Sequence, residues 1–153
     1  MSRWARGVSS VASHAPRRAL IHLDTSFLVD LLRETGRQAP GSAHALLEDL
    51  EQERLWISLH VACELYAGVE LSPDPERERT NVAALIAGLQ VAYPDRRFAP
   101  TYGRLLGNLE RVGERIAAMD LLIATTAVVE GAVLVTRNVR DFERVPGLRI
   151  QTY

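Results

Sequence analysis

The sequence predicts an α/β fold: a three-layer α/β/α sandwich around a parallel sheet of about five strands. Short segments that are apolar throughout alternate with longer segments whose apolar residues recur at helical spacing. Strands without polar alternation are covered on both faces, as they are in the parallel sheets of α/β proteins. A chain of 153 residues with 47% hydrophobic content is sufficient for one domain with one core.

Strand and helix segments follow one another from residue 19 onward. ALIHLD (19–24) is predicted to be a buried strand, and TSFLVDLLRE (25–34) a helix that Thr25 or Ser26 can cap. Further helices are predicted over 42–54, 60–71, 75–90, 97–115 and 119–131, and further strands over 55–58, 91–93, 132–136 and 148–153.

The first nineteen residues differ in composition from the rest. They hold four arginines and no acid, lack hydrophobic periodicity, and contain no apolar run long enough for a signal peptide. We expect residues 1–19 to be a disordered extension, with a transit peptide as the alternative that composition allows. Residues 20–153 are expected to form the folded domain.

Hydropathy and cysteine content bear on location. No segment approaches the ~18 consecutive apolar residues of a membrane span, so we expect no membrane contact. The only cysteine, Cys63, lies among apolar neighbours and is predicted to be a small packing residue rather than a nucleophile. These features favour a reducing cytoplasm.

The charged residues exclude several functions. All eighteen basic residues are arginines, so a Walker-type phosphate loop and Schiff-base chemistry, which need lysine, are unavailable. Residues 20–153 hold fourteen arginines against nineteen acids, a formal charge of −5. A domain this acidic does not bind nucleic acid through its phosphates alone. A polyanionic substrate would therefore require bridging cations.

Two predicted strands end in polar residues that can form a site. Asp24 ends the first strand and Thr136 ends the strand over 132–136, and the loop RNVRD after it carries Asn138 and Asp141. Ligands in open parallel sheets bind outside the carboxyl ends of the strands. We therefore expect Asp24, Asn138 and Asp141 to share one edge of the sheet.

Two further carboxylates lie on predicted helices. Asp120 is near the start of an apolar helix, where it favours a capping interpretation when taken alone. Glu64 lies at the margin of an apolar stripe, a position that suits a metal ligand or an exposed glutamate. That stripe is formed by Val61, Ala62, Leu65, Tyr66 and Val69.

A cluster of carboxylates needs a counter-charge. Several carboxylates cannot all stay ionised at close range, so their gathering implies raised pKa values or bound cations. Mg²⁺ and Mn²⁺ prefer oxygen ligands, and they can activate water and stabilise the leaving oxygen of a phosphodiester.

At these residues the sequence resembles the PIN-domain family and, within it, the VapC-type toxins of bacterial type II (VapBC) toxin–antitoxin modules. Four stretches carry the resemblance, and together they span about residues 20–152. They are LDTSFLVDLL around Asp24, ACELYAGVE around Glu64, MDLLIATTAVVEGAVLVTRN around Asp120 and TRNVRDFERVPGLRI around Asp141.

The resemblance implies a PIN-like fold, an endoribonuclease dependent on Mg²⁺ or Mn²⁺, a cognate VapB-type antitoxin that blocks the site, and a homodimer. Asp24, Glu64 and Asp120 carry over as catalytic metal-binding carboxylates. Many relatives have an acid where this chain has Asn138, so we expect Asp141 to be the fourth ligand. The supporting residues, expected to hold waters or orient carboxylates, are Ser26, Thr136 and Asn138.

The sequence also allows an RNA-binding role for two arginines and two alternative functions. Arg137 and Arg140, beside Asp141, are candidates for contacts with RNA phosphates, although a solvated face explains them equally well. A phosphatase of the haloacid-dehalogenase type is disfavoured, since Ser26 occupies the place of its second aspartate and lysine is lacking. A catalytically inactive PIN-like binding module is the alternative from another class.

Overall fold

The computed structural model describes residues 20–153, so the predicted extension over 1–19 lies outside the described residues. The elements of the described chain are β1 (Ile21–Leu23), α1 (Thr25–Arg37), α2 (Ser42–Asp49), β2 (Leu55–Ser58), α3 (Leu59–Glu70), α4 (Pro75–Ala87), β3 (Gln90–Ala92), α5 (Phe98–Arg111), α6 (Ala118–Glu130), β4 (Val133–Val135), α7 (Val139–Phe142) and β5 (Arg149–Gln151).

The strands form one five-stranded parallel sheet in the order β3-β2-β1-β4-β5, which confirms the predicted fold. β2 pairs with one side of β1, and β3 pairs with β2. The chain then crosses back, so that β4 pairs with the other side of β1. The order of the strands therefore reverses between β1 and β4. A crevice forms at such a reversal, outside the carboxyl ends of the strands.

Helices cover the sheet and meet near this reversal. α1 packs against α2 and α3, α3 against α4, and α6 against α5 and α7. α3 and α6 also contact each other, and this contact brings the helix that carries Glu64 beside the helix that carries Asp120. The largest fully buried side chains include Phe27, Leu28, Ile57, Leu105, Leu121, Ile123, Leu134 and Phe142.

Some predicted boundaries were wrong. α2 ends at Asp49 rather than at 54. Four acids lie over 48–53, and their negative charges destabilise a helix C-terminus, which is the negative end of the helix dipole. The predicted loop RNVRD contains α7, a short helix anchored by the buried Phe142. No helix within residues 20–153 is long and apolar enough to cross a membrane.

Two residues of α3 are exposed where the sequence predicted burial. α3 buries Val61, Leu65 and Val69 at successive turns. Cys63 and Tyr66 lie off that stripe and are exposed, Tyr66 by 44%. The packing role predicted for Cys63 and the place of Tyr66 in the stripe are therefore wrong, since apolar neighbours in sequence point to other sides of a helix.

His22 is a buried polar residue in the middle of the central strand β1. Its side chain is 2% exposed, its ring stacks on that of Trp56 at 6.5 Å, and Nε2 has no hydrogen-bond partner among the described residues. Burial lowers the pKa of His22 from 6.5 to about 4. The ring is therefore neutral in the folded protein at neutral pH.

This burial predicts acid sensitivity. The unfolded chain protonates His22 near pH 6.5 and the folded chain only near pH 4, so stability is lost as pH falls between these values. Between pH 7 and 4.5 the wild type should lose about 2–3 kcal/mol more than His22→Phe, measured by urea unfolding. Equal losses in both proteins would show that His22 is not the sensitive group.

Candidate active site

Asp24 lies immediately after β1, at the reversal of strand order. Its backbone N–H continues the sheet by donating to the Val135 carbonyl at 2.9 Å. The side chain is 4% exposed, and Oδ2 accepts hydrogen bonds from Ser26 Oγ at 2.8 Å and Thr136 Oγ1 at 2.7 Å. Ser26 and Thr136 therefore fix the orientation of this carboxylate.

Glu64 and Asp120 approach from α3 and α6. Thr25 Oγ1 donates a hydrogen bond to Glu64 Oε2, which links the start of α1 to α3. Asp120 lies in the first turn of α6, but the N-cap residue is Ala117, and no side chain caps this helix. The capping interpretation of Asp120 is therefore wrong, and its side chain is available for another role.

The pKa of Asp120 shows that the carboxylates share one region. Partial burial, together with the negative charges of Asp24, Glu64 and Asp141, raises this pKa from 3.8 to about 6. These interactions require the three other carboxylates to lie near Asp120. We call Asp24, Glu64, Asp120 and Asp141 the acidic cluster.

Asp141 is held by Asn138. Asn138 Nδ2 donates to Asp141 Oδ2 at 3.1 Å, and the Asn138 backbone N–H donates to Thr136 Oγ1 at 3.0 Å. Asn138 thus ties α7 to the residue that orients Asp24. Asn138 and Asp141, the two candidates for the fourth position, therefore lie in contact with each other.

The donor set of the acidic cluster suits hard divalent cations. All its side-chain donors are oxygens, the ligands that Mg²⁺ and Mn²⁺ prefer. Within residues 20–153, no three His, Cys, Asp or Glu side chains converge on one point. Mg²⁺ commonly binds through one or two carboxylates and keeps several waters, so a looser arrangement fits it.

Arg137 and Arg140 differ in their surroundings. The Arg137 backbone N–H donates to Ser26 Oγ at 3.1 Å, and its guanidinium lies 2.8 Å from Asp30 Oδ2. Arg140 is exposed on α7 and has no ion pair among the described residues. Arg137 is therefore linked through Ser26 to Asp24, whereas Arg140 directly precedes Asp141 in sequence.

Sequence reasoning missed Thr25, Asp30 and Tyr153. Asp30 accepts hydrogen bonds from Arg137 and from the Tyr153 hydroxyl, the latter at 2.8 Å. A polar residue four positions after Ser26, on the same face of α1, was a signal for Asp30. The contacts of Thr25 with Glu64 and of Tyr153 with Asp30 join residues 39 and 123 positions apart, and no local pattern predicts them.

Comparisons with known proteins agree with this geometry. The sequence matches the family model of the PIN domain over residues 21–148. It is 37% identical to the tRNA(fMet)-specific endonuclease VapC of Salmonella typhimurium, over 69% of this chain and 80% of that protein. It is 32% identical to Ribonuclease VapC2 of Rickettsia felis, over 86% of this chain and 96% of that protein.

Solved structures extend the likeness to the fold. The chain resembles one in the crystal structure of VapBC2 from Rickettsia felis bound to a promoter DNA fragment, with a TM-score of 0.81 and 30% identity. It also resembles one in DNA-bound VapBC from Salmonella typhimurium, with a TM-score of 0.79 and 32% identity. Each match covers 88% of this chain and 98% of the other.

Proposed function

The chain belongs to the PIN-domain family and, within it, to the VapC ribonucleases, and on that basis we propose that it is an endoribonuclease toxin dependent on Mg²⁺ or Mn²⁺. The single observation that carries the metal dependence is the gathering of four carboxylates at the reversal of strand order, where burial and the charges of the other three raise the pKa of Asp120. Uncompensated negative charge at this edge favours a divalent cation.

We assign the metal-binding role to Asp24, Glu64, Asp120 and Asp141. A divalent ion held by these residues would supply a polarised water and would stabilise negative charge on the phosphodiester oxygens. The protein's own part is to fix the carboxylates: Ser26 and Thr136 orient Asp24, Thr25 orients Glu64, and Asn138 orients Asp141. These hydrogen bonds pre-position the oxygen ligands, as the residues around a metal site generally do.

Metal-dependent cleavage tests the proposal. Purified protein, free of antitoxin, should cut RNA with Mg²⁺ or Mn²⁺ and stop when EDTA is added. The substrates should include the initiator tRNA, because one relative is named a tRNA(fMet)-specific endonuclease. Cleavage that persists in EDTA would contradict the metal dependence, and intact RNA in every metal would support the inactive binding module.

The second part of the proposal is a cognate antitoxin, since related structures are VapBC assemblies. A groove of about 600 Å³ runs between α1, α3 and α4 and reaches Thr25 and Glu64 at the acidic cluster. Its lining combines apolar side chains such as Val29, Leu32 and Leu65 with the charged residues Arg33, Arg37, Arg77 and Glu78. An antitoxin segment with apolar side chains would fill this groove and cover the acidic cluster. Homodimerisation stays a prediction.

Gly68 offers a test of this groove. It lines the groove on α3, and a Cβ there would meet no atom within 4 Å, so a larger side chain should enter the groove and not the core. Gly68→Gln should weaken binding of a cognate antitoxin by roughly tenfold or more, because overfilling a packed contact costs about 1–3 kcal/mol. Gly103→Gln, on α5 with similar open space, is the matched control. Equal antitoxin affinities, measured by calorimetry, would place the antitoxin elsewhere.

A further inference from the structure

A polar pocket of about 430 Å³ lies beside the acidic cluster, against α1. Three guanidinium groups, those of Arg33, Arg37 and Arg137, line it together with Asp30 and Tyr153. We call these five residues the arginine pocket. Its volume lies within the range of small-ligand sites. The names of the related proteins and structures assign this pocket no role.

The carboxylates near the arginine pocket are already engaged. Asp30, whose side chain is 15% exposed, is shared by Arg137 at 2.8 Å, Arg33 at 3.7 Å and the Tyr153 hydroxyl. Glu34, which also lines the pocket, accepts hydrogen bonds from the backbone N–H groups of Gly41, Ala43 and His44 and from the His44 ring. Glu34 is therefore turned toward the start of α2.

A positive charge is left over in the arginine pocket. Three arginines against the two carboxylates Asp30 and Glu34 give a formal charge of +1, whereas the domain as a whole is acidic. Arg37 has no ion pair within residues 20–153, and the side chains of Arg33 and Arg137 are each about 60% exposed. These guanidinium groups are accessible to an anion from solvent.

Hydrogen bonds connect the arginine pocket to the acidic cluster through one residue. Ser26 Oγ accepts from the Arg137 backbone N–H and donates to Asp24 Oδ2. The Tyr153 hydroxyl donates a hydrogen bond to Asp30 Oδ2 at 2.8 Å. Arg137 therefore contacts Ser26 beside Asp24 through its backbone, while its guanidinium group contacts Asp30 in the arginine pocket.

We propose that the arginine pocket binds a backbone phosphate of the RNA next to the phosphate that is cut. The inference rests on the proposed ribonuclease function. Guanidinium groups present paired donors that match phosphate oxygens, and phosphate contacts fix the register of a nucleic acid on a protein. The pocket also explains how an acidic domain holds RNA: cations bridge one phosphate to the acidic cluster, and arginines bind its neighbour.

The test combines arginine variants with modified RNA. Arg33→Gln and Arg37→Gln should each raise KM for a short RNA substrate roughly tenfold, since each loses a charged hydrogen bond to phosphate, and should leave kcat within about twofold. The slope of log Kd against log salt should fall by about 0.7 for each lost contact with a single strand. Arg54→Gln, an exposed arginine just before β2 at the opposite edge of the sheet, is the control.

A neutral methylphosphonate, placed at one phosphate at a time, locates the contact. In the wild type, one position flanking the cut should lower kcat/KM about tenfold, and Arg37→Gln should lose that sensitivity. Equal sensitivity in wild type and variant would overturn the inference. So would unchanged RNA affinity together with weakened antitoxin binding, which would make the pocket a protein-docking site. If the wild type cuts no RNA, the proposed function fails. The salt dependence of RNA binding by the wild type and the same variants in EDTA still tests whether the arginine pocket binds phosphate.

Discussion

Replacing Asp24 with asparagine is expected to lower kcat for RNA cleavage by roughly a thousandfold, because the several kcal/mol of transition-state stabilisation that a divalent ion supplies would be lost. The fold should survive, since the carboxamide oxygen can still accept the hydrogen bonds of Ser26 and Thr136. Single-turnover cleavage and a thermal melt of the same preparation measure the two effects separately.

A matched variant isolates the role of Asp24. Asp49, the last residue of α2, is exposed and lies outside the acidic cluster, so Asp49→Asn changes the net charge equally. It should cut RNA at the wild-type rate. Undiminished cleavage by Asp24→Asn, with Mg²⁺ present, would remove Asp24 from the proposed site.

Asp120→Asn is expected to stabilise the metal-free protein while lowering cleavage. The raised pKa of Asp120, about 6, means that its ionised form is disfavoured in the folded state by burial and by three neighbouring carboxylates. Removing this charge should raise the free energy of unfolding by about 1–2 kcal/mol at pH 8 in EDTA, after allowance for the partial solvent exposure of the group. Urea unfolding measures the difference.

The stability difference between Asp120→Asn and the wild type should depend on pH in a defined direction. A carboxyl with a raised pKa destabilises the fold fully above its folded pKa, and the destabilisation fades as pH falls from about 6 toward 3.8. The advantage of Asp120→Asn should therefore shrink between pH 8 and pH 4.5. A variant less stable than the wild type in EDTA, or an advantage that grows in acid, would show that Asp120 does not lie among repelling charges.

The fold was predictable from the sequence because its signals are local. The strand VLV of β4 is apolar throughout, β1 departs from this only at His22, and the helices between them have clear spacing. Boundaries were less predictable. The early end of α2 depends on acids at the helix terminus. The short helix α7 depends on the burial of Phe142, which tertiary packing decides.

The residues of the acidic cluster could be predicted from the sequence, but the contacts that bring them together could not. Asp24 could be placed at the sheet edge from the end of a strand, Glu64 and Asp120 could be identified on predicted helices, and the family resemblance linked the three. The contact between α3 and α6 that brings these helices together is a tertiary one. The hydrogen bond from Thr25 to Glu64 likewise depends on the packing of α1 against α3, which no spacing in the sequence encodes.

The most direct test of the proposed metal site is calorimetric titration of Mn²⁺ into the wild type and Asp24→Asn. We expect Mn²⁺ to bind the wild type, and to bind Asp24→Asn at least about tenfold more weakly, a typical loss when a metal site is altered. Asp49→Asn should match the wild type. Identical titrations for the wild type and Asp24→Asn, or no Mn²⁺ binding by the wild type, would contradict the proposal that the acidic cluster is a divalent-metal site.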